Sequence, residues 1–468
     1  MSTSLQHAYD PDIFKRDGHE LIDLLARHLK EMQGKARPTY QSTTPESELE
    51  KWRNYKIESI GSFFDDVING SIALHHPQYV GHQVSAPLPL TALAGMVSDL
   101  LNNGMGIFEM GAAATAMEKV GIESFCDKIG FGNEGGGFLT SGGTLANLTA
   151  LLAARAHAKY KGSDDELYIL VSEQAHYCIE RAAHTMGLAR QQIIKIPTDE
   201  NYCICSNELR KKVKELRANS KSVLAIVASA CTTATGTYDP IDKIADVCEE
   251  FEIWCHVDGA HGGAVAWSSK YKHLIKGIDR ADSVIIDAHK MMMIPALATA
   301  VLFKNLSNSY RTFQQDAHYL WQDENPEWYN LAKRTYETTK YMASIKIFLL
   351  FKWYGDSIID EYITRQYDLT IEFAEFLKTC HDIEIGHTPQ SNILCFRYTP
   401  PIINSKNIDQ LNSEIRKAII ENGDFYIVQA KVDAKIYLRI TIMNPLTTFS
   451  DLKNLYAKIT TIGRILNE

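Results

Sequence analysis

The sequence predicts an α/β protein whose main domain is built on a doubly wound, mainly parallel β-sheet. Between about residues 85 and 310, short apolar runs of strand length alternate with longer stretches of helical periodicity. Apolar runs of this kind are typical of strands covered by helices on both faces. The alternation itself is the pattern from which parallel sheets are assembled, because each strand is followed by a helix that returns the chain.

The composition fits a globular protein with a small-molecule partner. The 468 residues are 45% hydrophobic and 22% charged, which is enough apolar material for a large core in two or three domains. A net charge of −9 without a long basic run gives no indication of nucleic-acid or membrane binding. The N-terminal stretch lacks the apolar segment of a signal peptide, so we expect a cytoplasmic protein. The nine cysteines lack metal-binding spacing, and no metal site is predicted.

Three domains follow from the pattern along the chain. Residues 1–84 are predicted to be a helical segment, because Leu and Ile recur at three- and four-residue steps in "HELIDLLARHLKEM". Residues 85–335 form the predicted α/β domain. Residues 336–468 run from a helical stretch into a small α+β domain that contains "NILCFRY" and "IYLRITIM".

The elements of the α/β domain can be placed individually from their periodicity. The predicted strands are "ELYILVS", "QIIKI", "VLAIVASA", "IWCHVDG", "SVIIDA" and "TAVLF". The predicted helices are "TLANLTALLAARAHAKY", "HYCIERAAHTMGL" and "IDKIADVCEEF". In open α/β sheets, ligands collect beyond the carboxyl ends of the strands, so the polar residues after each apolar run are candidate site residues.

A glycine-rich turn in "GGGFLTSGGTLANLT" opens directly into a strong helix. Ser141, Gly142 and Gly143 therefore place backbone N–H groups at the positive end of that helix, which predicts a phosphate cradle. The segment lacks the lysine of a Walker loop and the spacing of a dinucleotide fingerprint. An ordinary Ser/Thr helix cap with glycines for a tight turn is the alternative interpretation.

Two further segments follow predicted strands. His176 begins a helix in "SEQAHY", where its imidazole can lie flat over a ligand ring, although a histidine at a strand-to-helix junction is more often a cap or a hydrogen-bonded core residue. Asp258 ends a strand and precedes Gly259 and Ala260, small residues that let a planar group approach the backbone. A capping aspartate is the alternative for this position.

A cluster of charges lies between two apolar runs in "IIDAHKMMMIPALATAVLF". Burying Asp287, His289 and Lys290 without partners costs several kcal/mol each, so they either form a buried ion pair or serve a ligand. Pyridoxal phosphate explains all of these segments together, since it needs an anion cradle, an aromatic platform, a carboxylate for its ring nitrogen and a lysine amine. Burial and a nearby cation are expected to lower the pKa of Lys290 and make its amine reactive.

The segments "TSGGTLANLTALLAAR", "SEQAHY", "HVDGAHGG" and "DAHK" resemble, in order and spacing, the group II pyridoxal-phosphate-dependent amino-acid decarboxylases. These include glutamate, cysteine-sulfinate, aromatic-amino-acid, histidine and diaminobutyrate decarboxylases. The resemblance runs from about residue 70 to the C-terminus. It implies the type-I, aspartate-aminotransferase-like fold with a mainly parallel seven-stranded sheet. It also implies a homodimer with shared active sites, across which the N-terminal helical segment is exchanged.

The resemblance implies a role for each candidate residue. Lys290 matches the lysine that bonds to the cofactor aldehyde, and Asp258 matches the partner of the pyridine nitrogen. His176 matches the imidazole stacked on the ring, with Ala260 on the opposite face. The matches to the phosphate loop are Ser141, Gly142 and Gly143.

Three positions near the cofactor have less settled matches. His289 matches the histidine before the lysine, near the phosphate and the catalytic centre. Thr232 matches a threonine close to the cofactor, with Thr233 as the alternative alignment and ordinary turn chemistry as the alternative role. Asp287 stands where many members have an asparagine that donates to the phosphate; a carboxylate cannot donate, so Asp287 is expected to engage a hydroxyl, a cation or His289.

The matches on the substrate side begin with Arg439, in "IYLRITIMNP", which corresponds to the arginine that grips the substrate α-carboxylate. Tyr319 matches the loop tyrosine that returns a proton to Cα, with a surface aromatic or the neighbouring His318 as alternatives. Gln83 and Ser85 resemble a segment that contacts the substrate side chain in the glutamate and cysteine-sulfinate branch. They favour an acidic or polar L-amino acid, and leave aromatic and diamino substrates open.

Decarboxylation of an L-amino acid to the amine and carbon dioxide is the function these matches predict. One alternative is an oxidative relative that forms an aldehyde, a change that accompanies loss of the loop tyrosine or stacking histidine. Retention of Tyr319 and His176 argues against it. The other alternative is a catalytically silent homologue with a binding or regulatory role, against which Lys290, Asp258 and Arg439 argue.

Overall fold

The structure, a computed structural model, describes residues 3–160, 162, 166–313, 327–402 and 407–468. The α-helices are α1 (Thr3–Ala8), α2 (Pro11–Gln33), α3 (Pro45–Arg53), α4 (Ile60–Asn69), α5 (Pro89–Leu101), α6 (Ala112–Ile129), α7 (Gly143–Tyr160), α8 (Cys178–Thr185), α9 (Ser206–Ala218), α10 (Ile241–Glu250), α11 (Ser307–Thr312), α12 (Ser344–Leu349), α13 (Ser357–Lys378), α14 (Ile408–Asn422) and α15 (Phe449–Asn467). The strands are β1 (Gly136–Thr140), β2 (Leu167–Ser172), β3 (Ile193–Ile196), β4 (Ser222–Ser229), β5 (Trp254–Asp258), β6 (Ser283–Asp287), β7 (Thr299–Phe303), β8 (Ile383–Ile385), β9 (Ile393–Tyr398), β10 (Val428–Val432) and β11 (Lys435–Thr441).

The chain divides into two compact units. The first comprises residues 1–82, 372–386 and 395–468, and the second comprises residues 83–371 and 387–394. The domain boundaries predicted from the sequence, and the exchange of segment 1–84 across a dimer, stay predictions. Among the described residues, no helix is both long and apolar enough to cross a membrane.

The second unit contains a sheet of seven described strands in the order β1-β7-β6-β5-β4-β2-β3. Strand β4 runs parallel to β2 and β5, and the β2–β3 and β5–β6 pairs are also parallel. Strand β7 is antiparallel to both β1 and β6. A parallel return needs a crossover, usually a helix, and the short segment between β6 and β7 contains none. The predicted α/β class with a mainly parallel sheet is confirmed.

Strand β1 is the element of this sheet that the sequence analysis left out. Its glycines resemble a turn, yet all five of its residues are buried and pair with β7. A Cβ atom at Gly137 would lie 2.0 Å from the carbonyl oxygen of Val301, so only glycine permits this close approach of the strands. The glycine-rich composition therefore reflects tight strand packing as well as the turn that follows.

The core of the second unit lies between the sheet and the helices α7 and α8. Phe138, Leu151, Ile169 and Ile285 are fully buried in one apolar cluster on this face of the sheet. Because β2, β4, β5 and β6 are aligned in parallel, their carboxyl ends meet at one edge of the sheet. The segments that follow these strands are thereby brought together.

The first unit contains a separate four-stranded sheet in the order β10-β11-β9-β8. The β10–β11 and β8–β9 pairs are antiparallel. Helix α14 packs against β11 and α15, and its buried Leu411, Ile415 and Ile419 recur at four-residue steps along one face. This confirms the predicted small α+β region near the C-terminus.

Candidate active site

A cavity of about 540 Å³ lies at the carboxyl edge of the seven-stranded sheet, within the second unit. It brings together residues from segments far apart in sequence. The predicted site residues that line it are Gln83, Ser141, Gly142, Gly143, His176, Thr232, Asp258, Ala260, Asp287, His289 and Lys290. Its volume lies in the range of small-molecule and cofactor pockets, about 300–1,000 Å³.

Lys290 is held by a buried carboxylate on the cavity wall. Its Nζ atom lies 2.9 Å from Oδ2 of Asp287, and Nε2 of His289 lies 3.5 Å from the same oxygen. The other oxygen, Oδ1, accepts a 2.6 Å hydrogen bond from Oγ1 of Thr299. Asp287 therefore contacts a hydroxyl, a cation and His289, the three partners that the sequence analysis weighed.

The predicted direction of the Lys290 pKa was wrong. Burial acts to lower this pKa, but the Asp287 carboxylate, its hydrogen bond and the charge of Asp258 together outweigh burial and raise it. The sequence indicated that Lys290 is buried. The direction of its pKa shift depends on the 2.9 Å contact between its Nζ and Oδ2 of Asp287, which only the folded chain establishes. In this state of the protein, Lys290 is an ammonium paired with Asp287.

Asp258 ends strand β5 with its carboxylate almost fully buried. Its Oδ1 accepts a 3.1 Å hydrogen bond from the backbone N–H of Ala260. Its Oδ2 accepts a 3.0 Å hydrogen bond from Nδ2 of Asn147, and Sγ of Cys178 lies 4.0 Å from the same oxygen. These donors fix the orientation of the Asp258 carboxylate at the cavity.

His176 makes a capping contact and also lies on the cavity wall. Its Nδ1 accepts a 3.3 Å hydrogen bond from the backbone N–H of Cys178 at the start of α8, which is a capping contact. The side chain also lines the cavity. Burial is the largest influence on the pKa of His176 and lowers it, so the imidazole is neutral with its proton on Nε2.

The glycine-rich turn meets the cavity at the N-terminus of α7. The first N–H groups of a helix have no partner within it, so this end can bind an anion. A Cβ atom at Gly143 would lie 3.1 Å from both carboxylate oxygens of Asp287, so the turn packs closely against that side chain. The charge of Asp287 next to the turn is balanced by its contact with Lys290.

This donor set fits pyridoxal phosphate. An anion-binding helix N-terminus, a buried carboxylate held by two donors and a lysine amine share one cavity wall. Gly143 leaves room where any side chain would press on Asp287. These are the groups that the phosphate, the ring nitrogen and the aldehyde of this cofactor require.

Other predicted residues have different surroundings. Thr232 directs its hydroxyl to Thr235 and Thr237, at 2.8 and 3.1 Å between Oγ1 atoms, while Thr232 and Thr233 both line the cavity. Ser85 is buried and donates a 3.3 Å hydrogen bond to the carbonyl oxygen of His289.

Two of the four residues matched on the substrate side, Arg439 and Tyr319, belong to other parts of the chain. Arg439 is buried on β11, in the first unit. Tyr319 and the neighbouring His318 lie outside the described residues.

The sequence analysis missed several residues that the cavity contains. Asn147, Cys178, Ser229 and His261 all line it. Asn147 lies one turn after Gly143 in α7, where the sequence pattern indicates only a helix. The available signal was its helical spacing from the phosphate turn, because residues four apart lie on the same face.

The pyridoxal-dependent decarboxylase conserved domain matches residues 40–399 of this chain. An aromatic-L-amino-acid decarboxylase of Bacillus atrophaeus is 29% identical, over 98% of this chain and 97% of that protein. An L-2,4-diaminobutyrate decarboxylase of Acinetobacter baumannii is 28% identical, over 86% of this chain and 83% of that protein. An aspartate 1-decarboxylase of Aliivibrio fischeri is also 28% identical, over 88% and 83% of the two chains.

Solved structures agree in fold. Mouse CSAD in its apo form superposes with a TM-score of 0.89 at 22% identity, over 97% of this chain and 99% of that one. The glutamate decarboxylase domain of a Vibrio parahaemolyticus diaminobutyrate-pyruvate transaminase and L-2,4-diaminobutyrate decarboxylase gives 0.85 at 25% identity, over 96% and 95%. A 4-hydroxyphenylacetaldehyde synthase of Rhodiola rosea gives 0.88 at 20% identity, over 98% and 100%. The chain therefore belongs to the pyridoxal-dependent decarboxylase family, as its sequence motifs predicted, and its cofactor is pyridoxal phosphate.

Proposed function

We propose that this protein decarboxylates an L-amino acid with an acidic or polar side chain, releasing the amine and carbon dioxide. The observation that carries the proposal is the convergence of Lys290, Asp258, His176 and the turn before α7 on one cavity. Each group matches one requirement of pyridoxal phosphate, and the sequence indicated no simpler ligand that requires all of them.

The cofactor-binding roles that we propose come from the family resemblance and are supported by the place of each residue on the cavity wall. Lys290 is the amine that bonds to the cofactor aldehyde, and Asp258 faces the ring nitrogen. His176 and Ala260 would contact the two faces of the ring. The backbone at the start of α7 holds the phosphate, through Ser141, Gly142 and Gly143. When bound, pyridoxal phosphate supplies a protonated ring that accepts the electrons of the broken bond at Cα.

The protein's own groups prepare the cavity for this chemistry. Asp258, oriented by its two donors, would hold a proton on the ring nitrogen. His176, neutral because of burial, packs on the ring without adding a charge beside it. Asp287 keeps the Lys290 amine positioned as a paired ammonium until the cofactor arrives, and His289 and Thr299 remain as partners of Asp287 afterwards.

Two roles rest on the family resemblance alone. Arg439 is proposed to grip the α-carboxylate of the substrate, since a guanidinium suits planar two-point contact with a carboxylate. Tyr319 is proposed to return a proton to Cα after carbon dioxide leaves. A Tyr319→Phe variant tests the second role: amine output should fall far more than cofactor binding, and unchanged output would reduce Tyr319 to a structural aromatic.

The preference for an acidic or polar substrate is supported by the cavity wall. Gln83 contributes an amide there, beside Thr232, Thr233 and His289. Among the described lining residues there is no Phe, Tyr or Trp, so an aromatic side chain gains no ring contact from this wall. The relatives include enzymes named for aromatic, diamino and acidic substrates, and they do not distinguish among these classes.

A panel of L-amino acids tests the proposed function. Purified holoenzyme is incubated with acidic, polar, diamino and aromatic members, and carbon dioxide, amine and hydrogen peroxide are measured together. We expect amine equal to carbon dioxide, with the highest kcat/KM for an acidic or polar member. Peroxide equal to carbon dioxide would replace this proposal with oxidative aldehyde formation, and no turnover across the panel would favour a silent homologue.

We also propose that the protein is a homodimer. In the second unit, helix α5 exposes Val97, Leu100 and Leu101, and Met110 in the short 3-10 helix that follows is also exposed, each between 47% and 63%. Exposed patches of this kind mark interfaces more often than free surface. A second copy of the chain is the partner that the family resemblance indicates. The cytoplasmic location predicted from the N-terminal sequence remains a further proposal.

Light scattering coupled to gel filtration tests the assembly. The wild-type protein should elute with about twice the 52.6 kDa mass of one chain. Leu100→Glu should yield monomers, while Tyr160→Glu, a matched change at an exposed residue at the end of α7, should leave the dimer intact. A wild-type monomer would contradict the proposal.

A further inference from the structure

A buried chain of hydrogen bonds leads from Asp258 to the indole of Trp254. Asn147 donates from Nδ2 to Oδ2 of Asp258 at 3.0 Å, and its Oδ1 lies 2.8 Å from Nε2 of His256. Nδ1 of His256 lies 2.9 Å from Oγ of Ser283, which also accepts a 2.8 Å hydrogen bond from Nε1 of Trp254. All of these side chains are at most 8% exposed.

The backbone explains why these side chains meet. Trp254, His256 and Asp258 alternate along β5, so they share one face of that strand. Ser283 begins β6 and is the direct cross-strand partner of His256. Helix α7, which starts at the phosphate turn, covers this face and contributes Asn147.

The chemistry of the end groups fixes the direction of every bond in the chain. An indole N–H can only donate and an ionised carboxylate can only accept. Because Asn147 uses Nδ2 toward Asp258, its Oδ1 must accept from the Nε2–H of His256. Burial lowers the pKa of His256 to about 4, so the ring is neutral and Nδ1 accepts from the Ser283 hydroxyl.

The fixed directions of these hydrogen bonds prevent the side-chain amide of Asn147 from rotating by half a turn. A reversed amide would set two donors against each other at His256 and two acceptors against each other at Asp258. The contact of Asn147 with Asp258 sets the His256 tautomer that forbids this reversal. The Ser283 oxygen accepts from Trp254, and its hydroxyl hydrogen can then be donated to Nδ1 of His256, which lies 2.9 Å from this oxygen and 3.3 Å from the Ser283 carbonyl oxygen. The Asn147 amide is therefore kept as a donor to Asp258.

We propose that Asn147, His256, Ser283 and Trp254 form a directed relay that holds Asp258 in place and keeps its carboxylate aimed at the ring nitrogen of the cofactor. The inference rests on the proposed role of Asp258. It makes Asn147 and His256 positioning residues, because they act on the cofactor through Asp258. The relay should set the affinity for pyridoxal phosphate and the pH dependence of the bound cofactor's visible absorption, whatever the substrate.

An Asn147→Asp variant replaces the donor to Asp258 by an acceptor of the same shape. We expect pyridoxal phosphate to bind the apoenzyme at least about ten-fold more weakly near pH 8, because the bond to a charged group is lost. The deficit should shrink as the pH falls, since a protonated Asp at position 147 can donate again. Asn201→Asp, the same change at an exposed position of this unit, is the control and should bind as wild type does.

Two substitutions at His256 separate hydrogen bonding from shape. His256→Gln retains an amide donor that reaches toward Asn147, and His256→Leu removes it. We expect the glutamine variant to bind pyridoxal phosphate within about three-fold of wild type and the leucine variant about ten-fold more weakly, with a shifted pH profile of the bound cofactor's absorption. Melting of each apo variant reports folding separately from binding.

The outcomes distinguish the relay from the role of Asp258 itself. If Asp258→Asn weakens cofactor binding but Asn147→Asp does not at any pH, the relay is wrong and Asp258 keeps its role. Equal loss in the glutamine and leucine variants of His256 also overturns the relay, because shape alone would explain it. If Asp258→Asn binds as wild type does, the proposed role of Asp258 falls and the relay falls with it. Should His256→Leu fail to fold, Asn147→Asp still decides.

Discussion

Two of the lysine–carboxylate pairs in the described part of the second unit differ in what surrounds them. Lys290 pairs with Asp287, and Lys340 pairs with Glu118. Both side chains of the Lys340 pair are 3% exposed, whereas Lys290 retains 24% exposure and lines the cavity. One pair is sealed inside the protein and the other opens onto a space that can hold a ligand.

The electrostatics of the two lysines differ in the same way. Burial lowers the pKa of Lys340, and its Glu118 partner opposes burial only in part. Burial also acts on Lys290, but the Asp287 carboxylate and a second acid, Asp258, reverse the direction. A charge pair within a protein therefore indicates function only when a cavity and further charges meet at it. The sealed pair is a structural feature.

Replacing Lys290 by alanine should have the largest effect on catalysis. Without the amine, decarboxylation should fall by about 10³-fold or more, because covalent attachment and proton transfer are lost together. The absorption of the lysine-linked cofactor should disappear as well. Carbon dioxide release and the visible spectrum are the measurements. Retention of that absorption, or of near-normal turnover, in Lys290→Ala would contradict the distinction between Lys290 and Lys340.

Replacing Lys340 by methionine should act on stability instead. Removal of the ammonium leaves Glu118 buried without its charge partner, which costs about 3–5 kcal/mol of unfolding free energy. Turnover per folded molecule should stay close to wild type. Denaturant unfolding and activity, both corrected for the folded fraction, are the measurements. The double variant Glu118→Gln/Lys340→Met should recover most of the stability, and loss of turnover in the folded fraction would refute the distinction.

Asp287→Asn should have a smaller effect, on the pH dependence of cofactor capture. The neutral amine is the form that attacks an aldehyde, and the Asp287 carboxylate raises the pKa of Lys290. Removing that charge lowers this pKa, so the neutral fraction at any given pH rises. The midpoint of the pH–rate profile for pyridoxal phosphate capture should move to lower pH in stopped-flow absorbance. Asp127→Asn, a surface control, should leave it in place, and a move to higher pH would contradict the account.

Much of the fold was accessible from the sequence because its strands carry local signals. The apolar, β-branched runs that become β2 to β7 indicate strands, and the alternation with helices predicts the parallel arrangement of β2 to β6. Strand β1 was missed because its signal lies in packing: glycine at position 137 is required by the approach of β7, which local sequence does not reveal.

The candidate site was predictable where a residue follows a strand and not where its role depends on a partner. Lys290, Asp258 and His176 each follow an apolar run, so their convergence on one edge was foreseeable. The hydrogen bond between Asn147 and His256 joins a helix to a strand, and no spacing along the chain predicts it. The pKa of Lys290 was predicted with the wrong sign, because two opposing effects are decided by a distance.

The most direct test of the account is to identify the lysine that carries the cofactor. The holoenzyme is reduced with borohydride, digested, and its peptides are analysed by mass spectrometry for a pyridoxyl group. The account predicts this group on the peptide that contains Lys290 and on no peptide that contains Lys340. A pyridoxyl group on another lysine, or on none, would contradict it.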